Sequence, residues 1–584
     1  MSHKFRFSPE FTLNDFFFAF PFFQILDCFF FSAHTLHFLE TPKTMRAHVL
    51  LWTTAIFCCL LTTYAETYEV STAQKLIDLF SGPNKVSDTI TLTNDLDFTG
   101  SSLTRPLGAL YDKTCKTFRG VFNGNNHSIK GLKINCRSGP GYTYAGLFCG
   151  LDGAVVRDLT IDESCSFNGY TTGALAVRVS GSTTIERVTN KAEVTAGYGA
   201  GGLVGSVVSE NAINPEIVFK DCMNAGNVTT TDQASGGLIG HCTNTIGFQI
   251  TISHCVNNGY ISGKLNIGGL VGLIQSNRKL SITISASTNN GPVNGNYDTG
   301  GVVGRSSSNR RISMNMVNVM NKGLISGTDR IGGLCGSVSN NGNVALITRG
   351  TNNGIVTGRN IVGGLFGTFS DNGNTDILIS NSLNFGTVNC SQFSAGFIGM
   401  IKSQYKSTNA IITIVNSANK GTINGLDELS CGLFCVDPNN AMNVYTTVNN
   451  NINKGSVSGS NAYGLTNMVT DANNVVSMGK VTGSSTARSF WSISEETTQL
   501  YGLKNNCISC SGVTLFEHNS ETGLYDVTDS NSQAHDLLND EAKKEGYGML
   551  WTGDLELEID QTSSATVHRV SIFAFCLVLV LALL

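Results

Sequence analysis

The chain has 584 residues, a net charge of −5 and 14% charged residues, against about 25% in ordinary globular chains. That excludes a nucleic-acid binder, which needs a basic excess to neutralise phosphate, and 41% hydrophobic residues exclude a disordered acidic chain. With 64 Gly, 9 Pro and 37 Asn between positions 201 and 450, the composition points to many turns between many short strands.

Residues 1–44 are Phe-rich, with 13 Phe. They read as a mis-assigned extension or an unusual leader ahead of a true start at Met45. Residues 45–65 have the form of a secretory signal: Met45-Arg46, an apolar run from Val49 to Leu61, then Thr63-Tyr64-Ala65 with small residues at the cleavage positions. Glu66 is then the expected mature N-terminus. In an oxidising compartment cysteines mostly pair. The candidates are Cys115, Cys136, Cys222, Cys255, Cys431, Cys435, Cys507 and Cys510. Three sequons, at Asn126, Asn227 and Asn389, offer glycosylation sites.

Residues 66–190 read as an N-terminal cap and the first coils of a repeat. A short helix from Ser71 to Phe80 is expected, with Ser71 as N-cap and Leu76, Ile77 and Phe80 on one side. Residues 191–487 carry the repeat itself. Gly201-Gly202-Leu203-Val204-Gly205 returns at Gly236, Gly268, Gly300, Gly332 and Gly363, with degenerate copies to Tyr463-Gly464-Leu465. A second marker, Asn-x-Gly, keeps the same period from Asn224-Ala225-Gly226 to Asn453-Lys454-Gly455. Apolar residues alternate before it: Ile250 and Ile252; Leu280, Ile282, Ile284 and Ala286; Ile411 with Thr413 and Val415. The pattern predicts an all-β, right-handed parallel β-helix of about 32-residue coils with N- and C-terminal caps. Each repeated Gly is expected where φ is positive or coils approach closely. The stacked Asn are expected to bond their own turn and the next coil.

Residues 488–563 lose this period and become acidic, as a C-terminal cap and stalk. Residues 564–584 read as a GPI-attachment signal: small residues, a polar spacer, and an uncharged run from Val570 to Leu584, with Ser563 and Ser564 as attachment candidates. A short tail anchor is the alternative. Localisation follows as the outer face of the plasma membrane, with the membrane reached through the lipid.

The Gly-Leu-Val-Gly-type units, Phe118-Arg119-Gly120-Val121-Phe122 and Asn125-Asn126-His127-Ser128-Ile129 resemble the GLUG-repeat surface proteins, over roughly Tyr68 to Trp551. The resemblance implies a surface or secreted, adhesin-like protein and supplies no catalytic residues.

No phosphate-binding loop, zinc-protease motif or serine-nucleophile elbow occurs. Asp232, Asp298 and Asp329 precede Gly-Gly steps at differing offsets and read as turn formers. Asp371 to Asp376 matches no dedicated Ca²⁺ loop. Catalytic residues, metal ligands and cofactors are therefore expected to be absent. Cys222 and Cys255, each two residues before a marker Asn, are expected to form a disulfide between adjacent coils. The function expected is a GPI-anchored β-helical rod for adhesion, meeting an extracellular glycan or protein ligand of unknown identity. The alternative is a carbohydrate-active β-helix enzyme, recognisable by three or more charged groups converging in one groove.

Overall fold

The computed structural model describes residues 66–488 apart from 82–86, 111–113, 137–143, 209–213, 244–245, 277–278, 309–311, 341–343, 372–374, 404–409, 442–443, 474 and 478. Beyond 488 it describes 500–502, 524–526, 539–540, 542–544, 549–551 and 557–559. Nearly every described element is a strand, and the coils stack as a parallel β-helix. One coil supplies three faces. Leu280–Ser285 and Thr288–Asn289 lie on the first, Val293–Asn294 and Tyr297–Gly300 on the second, and Val303–Ser308 on the third. Leu280 pairs with Ile312, Val293 with Ile325 and Val303 with Cys335, each one repeat on.

Alternation decides what points inward. Leu280, Ile282 and Ile284 are buried, and Ile312, Met314 and Met316 stack on them. Truncating such a side chain to Ala costs about 2–5 kcal/mol. Two expectations need correction. Ala286 leaves the alternation, because its backbone turns left-handed at φ 46°. In Ala410–Val415 it is Ile412, Ile414 and Val415 that are buried, while Ile411 is 44% exposed. A one-residue shift in a strand exchanges its two faces.

The repeated glycines are explained by close approach alone. Positive φ among the described Gly falls at Gly100, Gly108, Gly131, Gly153, Gly181 and Gly247, none of them in a repeat marker. Left-handed residues stand instead three positions before the marker Asn, as at Asp221, His254, Ala286, Asn318, Arg349, Asn381, Asn416 and Asn450, and in some coils two positions before the Gly-Gly step, at Ala234, Asn266, Asp298 and Arg330. A Cβ on Gly269 would lie against the Gly301 carbonyl oxygen and 2.5 Å from Cγ of Asn289. A Cβ on Gly323 would meet Nδ2 of Asn289 at 2.9 Å. The Gly-Gly step and the Asn-x-Gly turn are thus two sides of one contact around a buried amide.

Those amides form a continuous ladder. Asn190, Asn224, Asn257, Asn289, Asn321, Asn352, Asn384 and Asn419 each donate Nδ2–H to Oδ1 of the next rung, ending at Asn453, at 2.7–2.9 Å. Nδ2 of each rung also donates to the carbonyl two residues on, at 2.8–3.0 Å. All nine rungs are fully buried, where an unmet polar group costs about 1–3 kcal/mol.

At the N-terminal end the helix is Ala73–Ser81, and Thr72, not Ser71, caps it: Oγ1 of Thr72 accepts the Lys75 N–H at 3.3 Å. Leu76 and Leu79 are buried, and Phe80 sits 5.7 Å from the rings of Phe118 and Phe148. Towards the C-terminus the coils shorten. Val457 pairs with Val481 and Asn449 with Asn473, both 24 positions on. Past its last strand, Phe434–Ala441, the third face continues only as the single bridge Phe434–Thr466 among the described residues. The first face goes further: Val475 pairs with Leu500, and Leu500 with Leu524. Stacking therefore extends beyond 488, where only a cap and stalk were expected, and it uses a shorter coil with no Gly-Gly step to announce it.

Candidate functional site

Charged side chains converge at the corner between the second and third faces. Tyr297–Gly300 pairs in parallel with Asp329–Gly332, which puts Asp298 beside Arg330 one coil on. Both have left-handed backbones, at φ 53° and 57°. The Arg330 guanidinium takes both Asp298 oxygens, Nε–H to Oδ1 at 2.6 Å and Nη2–H to Oδ2 at 3.1 Å, and donates Nη1–H to Asp329 Oδ2 at 2.7 Å. Arg305, opening the third face, donates Nη1–H to Asp298 Oδ2 and Nη2–H to Ser339 Oγ, both at 3.2 Å. The Tyr297 ring lies 5.8 Å from the Arg330 guanidinium carbon. The Asp298 side chain is only 3% exposed. Burial works against charge on Arg330, but the Asp298 hydrogen bonds and the charges of Asp298 and Asp329 outweigh it, so its pKa is raised.

The left-handed backbone of Asp298 fits the turn role expected of it, and Asp298 and Asp329 are in addition the acid half of a balanced ion network. Each carboxylate accepts from a guanidinium. Asp232 stands apart from it, its carbonyl accepting the Lys264 and Leu265 N–H groups. Arg305 keeps one buried Nε without a partner among the described residues.

Two coils before Arg305 in the same register column stands His241, with Leu273 between them. Its ring packs edge-on to Tyr198 at 5.3 Å, and Tyr198 stacks on the half-exposed Tyr170 at 5.6 Å. Its Nδ1 has no partner among the described residues, and burial pulls its pKa from 6.5 down to about 4. His241 is thus a core imidazole that is neutral at neutral pH. Neither Arg305, Arg330 nor His241 was singled out from sequence. The available signal was position: Arg330 stands two before its Gly-Gly step, and His241 and Arg305 each directly follow the glycine that closes one.

The cysteines divide. Cys115 pairs with Cys149, 34 positions on, while Cys136 is a buried thiol. Cys431 pairs with Cys435. These two occupy places held by glycine in regular coils, since Cys431 follows Gly363 and Ala395 in register, and Cys435 follows Phe434 as Gly399 follows Ile398. Cys222 and Cys255 are adjacent across the coils, flanked by the pairs Lys220–Ser253 and Met223–Val256. The expected disulfide between them is nevertheless not formed, and both are buried thiols. The spacing of about 4.8 Å between stacked coils is itself within the Cα separations that a disulfide spans, so distance alone does not forbid the bond. Each sulfur instead faces carbonyls, Cys222 those of Lys220 and Ile185 at 3.3 and 3.4 Å, Cys255 that of Ser253 at 3.3 Å. Burial pushes the thiols of Cys165 up to about 11 and of Cys242 and Cys390 to about 12, so none of the three is a thiolate nucleophile at neutral pH. Cys507 and Cys510 lie outside the described residues, as do Ser563 and Ser564.

Of the sequons, Asn126 and Asn227 are exposed. Asn389 is held at both ends, its Nδ2–H donated to Thr357 Oγ1 at 3.4 Å and its Oδ1 accepting from Asn424 at 2.9 Å. Among the described residues no group of three or more His, Cys, Asp or Glu is placed to hold a metal, and no helix is long and apolar enough to cross a membrane.

No family model and no curated protein matches the chain. A solved structure, provisionally described as an immunoglobulin A1 protease from Bacteroides ovatus, is similar over 51% of this chain and 76% of its own, at 18% identity and a TM-score of 0.31. A likeness that weak carries no argument here.

Proposed function

We propose that the chain is a non-enzymatic extracellular surface protein, held to the membrane by a GPI anchor, whose β-helix meets a glycan or protein ligand. The observation that carries this reading is how the polar groups of the stack are used. Asp298, Asp329, Arg305 and Arg330 bind one another, and the nine Asn rungs bind one another. Such groups build a rigid rod rather than a reactive centre. The signal-like stretch at 45–65, the uncharged run at 570–584 and the likeness to GLUG-repeat surface proteins support export and display. The test is release from intact cells by phosphatidylinositol-specific phospholipase. Retention on cells, while a known GPI protein is freed, would overturn the anchor.

A carbohydrate-active enzyme is the second reading, favoured by the same convergence of two carboxylates and two guanidiniums with Arg305 and Tyr297 partly open to solvent. It requires that the ectodomain cleave a polysaccharide and that Arg305→Gln abolish cleavage without unfolding. No new reducing ends or unsaturated products across a panel of neutral and acidic polysaccharides would dismiss it.

A further inference from the structure

The corner between the first and second faces carries an apolar strip one residue wide. Val228 N–H bonds to the Tyr260 carbonyl, Ile261 N–H to that of Pro292, Val293 N–H to that of Leu324 and Ile325 N–H to that of Ile355, at 2.9–3.0 Å. These bonds stack Asn227, Tyr260, Pro292, Leu324 and Ile355 one above another on five successive coils. Tyr260 is 38% exposed, Leu324 49% and Ile355 47%, and Pro292 is also exposed. At the head of the strip stands the sequon residue Asn227. Its Oδ1 accepts the Tyr260 N–H at 3.3 Å. That bond fixes the amide with its oxygen towards Tyr260, and Nδ2, the atom that would carry sugar, has no other partner among the described residues.

We propose that the occupant of this strip is the chain's own N-linked glycan at Asn227, its first N-acetylglucosamine packed on the Tyr260 ring and the next directed along Pro292. The proposal rests on the secretory reading above. Three features favour this occupant. Asn227 and Tyr260 lie on adjacent coils, whose backbones stack about 4.8 Å apart, and the Tyr260 hydroxyl accepts the Asn294 Nδ2–H at 3.3 Å from the following coil, which holds the ring in place. The apolar C–H face of a pyranose suits an aromatic ring and a proline, which otherwise leave apolar surface in water. Finally, the strip runs away from Asn227 in a straight line, as a linear glycan core needs. Asn389 has no such arrangement, because its amide is tied into a row of Thr357 and Asn424.

The test uses the full chain made in a eukaryotic secretory host. Site occupancy is read by glycopeptide mass spectrometry, and the rate of glycan release from the native protein by peptide N-glycosidase is read site by site. Tyr260→Lys is the informative variant, since Thr or Ser at 260 would create a new sequon at Asn258. Lys480 holds the same column at its far end, its carbonyl accepting the Val457 N–H at 2.8 Å, so the fold accepts Lys there. Tyr260→Lys should speed release at Asn227 by about fivefold, equivalent to ~1 kcal/mol of lost packing, and leave Asn126 unchanged. An unchanged rate at Asn227 overturns the proposal, and so does a bare Asn227 beside an occupied Asn126. A chain with no sugar at Asn126, Asn227 or Asn389 overturns the secretory reading as well.

Discussion

The coils before Asn190 and those from Asn190 to Asn453 share one backbone plan but fill the same inner column differently. In the early coils the column holds Leu96, Ile129 and Ile161, paired in register; the next residue in line is Asn190, and eight more Asn follow. After Asn453 comes Ser477. Parallel stacking therefore asks only that a coil match its neighbours. An aliphatic column is satisfied by contact, whereas an amide column is satisfied only by an amide on each side. The glycines follow the same division. The second Gly of the step, as in Gly202, lies against a rung and has no room for a Cβ. In register before it stand Ala174 and Leu147, whose coils lie at the start of the ladder or ahead of it.

That contrast can be broken in order of expected effect. Asp298→Ala, which takes the buried carboxylate from two guanidiniums in the amide-bearing region and leaves Arg330 on Asp329 and Arg305 on Ser339, should cost up to about 5 kcal/mol. Limited proteolysis should then cut around 297–339 and spare the coils before Asn190, since a solenoid transmits damage mainly to adjacent coils. Asn289→Leu takes the rung partner from one Nδ2–H of Asn257 and from Oδ1 of Asn321, besides the donor to the Gly291 carbonyl; the two lost rung bonds are worth together about 4 kcal/mol. Asn453→Leu at the ladder's end loses one rung bond, that from Asn419, besides the donor to the Gly455 carbonyl, and should cost less by ~2 kcal/mol. Equal losses in denaturant titrations would show that the rungs are not coupled.

His241 adds a pH dependence. Its folded pKa of about 4 lies below the ordinary 6.5, so as pH falls between those values the unfolded chain takes up the proton first. Stability should fall through that window by about 3 kcal/mol, at ~1.36 kcal/mol per unit, and level off below it. His241→Leu, matching Leu273 in the next coil, should flatten the profile; an unchanged acid limb in hydrogen exchange would assign the loss elsewhere. The smallest effect is a gain. Ala286 holds φ 46° in a column where other coils place Asn318, Asn381, Asn416 and Asn450. Ala286→Asn should stabilise by up to about 1 kcal/mol, read as a higher melting temperature.

The solenoid, its period and the bonding of the Asn column were legible because Gly-Gly and Asn-x-Gly recur at one spacing. Close approach was one of the two reasons the sequence offered for Gly, but the crowding atoms were not legible, since they belong to Gly301 and Asn289, 32 and 20 positions from Gly269, and only folded coils bring them together. The ion network was hidden similarly. Asp298 and Arg330 look unrelated until the coil length is applied, and then they are neighbours. The 24-residue coils past Asn453 were missed because their chain drops the third-face strand, and with it the Gly-Gly step that marks a repeat.

The Asn ladder also has a direction. Every amide turns its oxygen towards Asn190 and its N–H towards Asn453. Each rung receives one bond and gives one, so the unmatched groups lie only at the two ends, whatever the number of rungs between. A whole coil could therefore be inserted or lost between Asn224 and Asn419 without creating an unmet amide, provided it brings its own Asn and both flanking glycines. Length in this region is a quantity that can vary by duplication in units of one coil, while the ends, with Ile161 on one side and Ser477 on the other, remain the same.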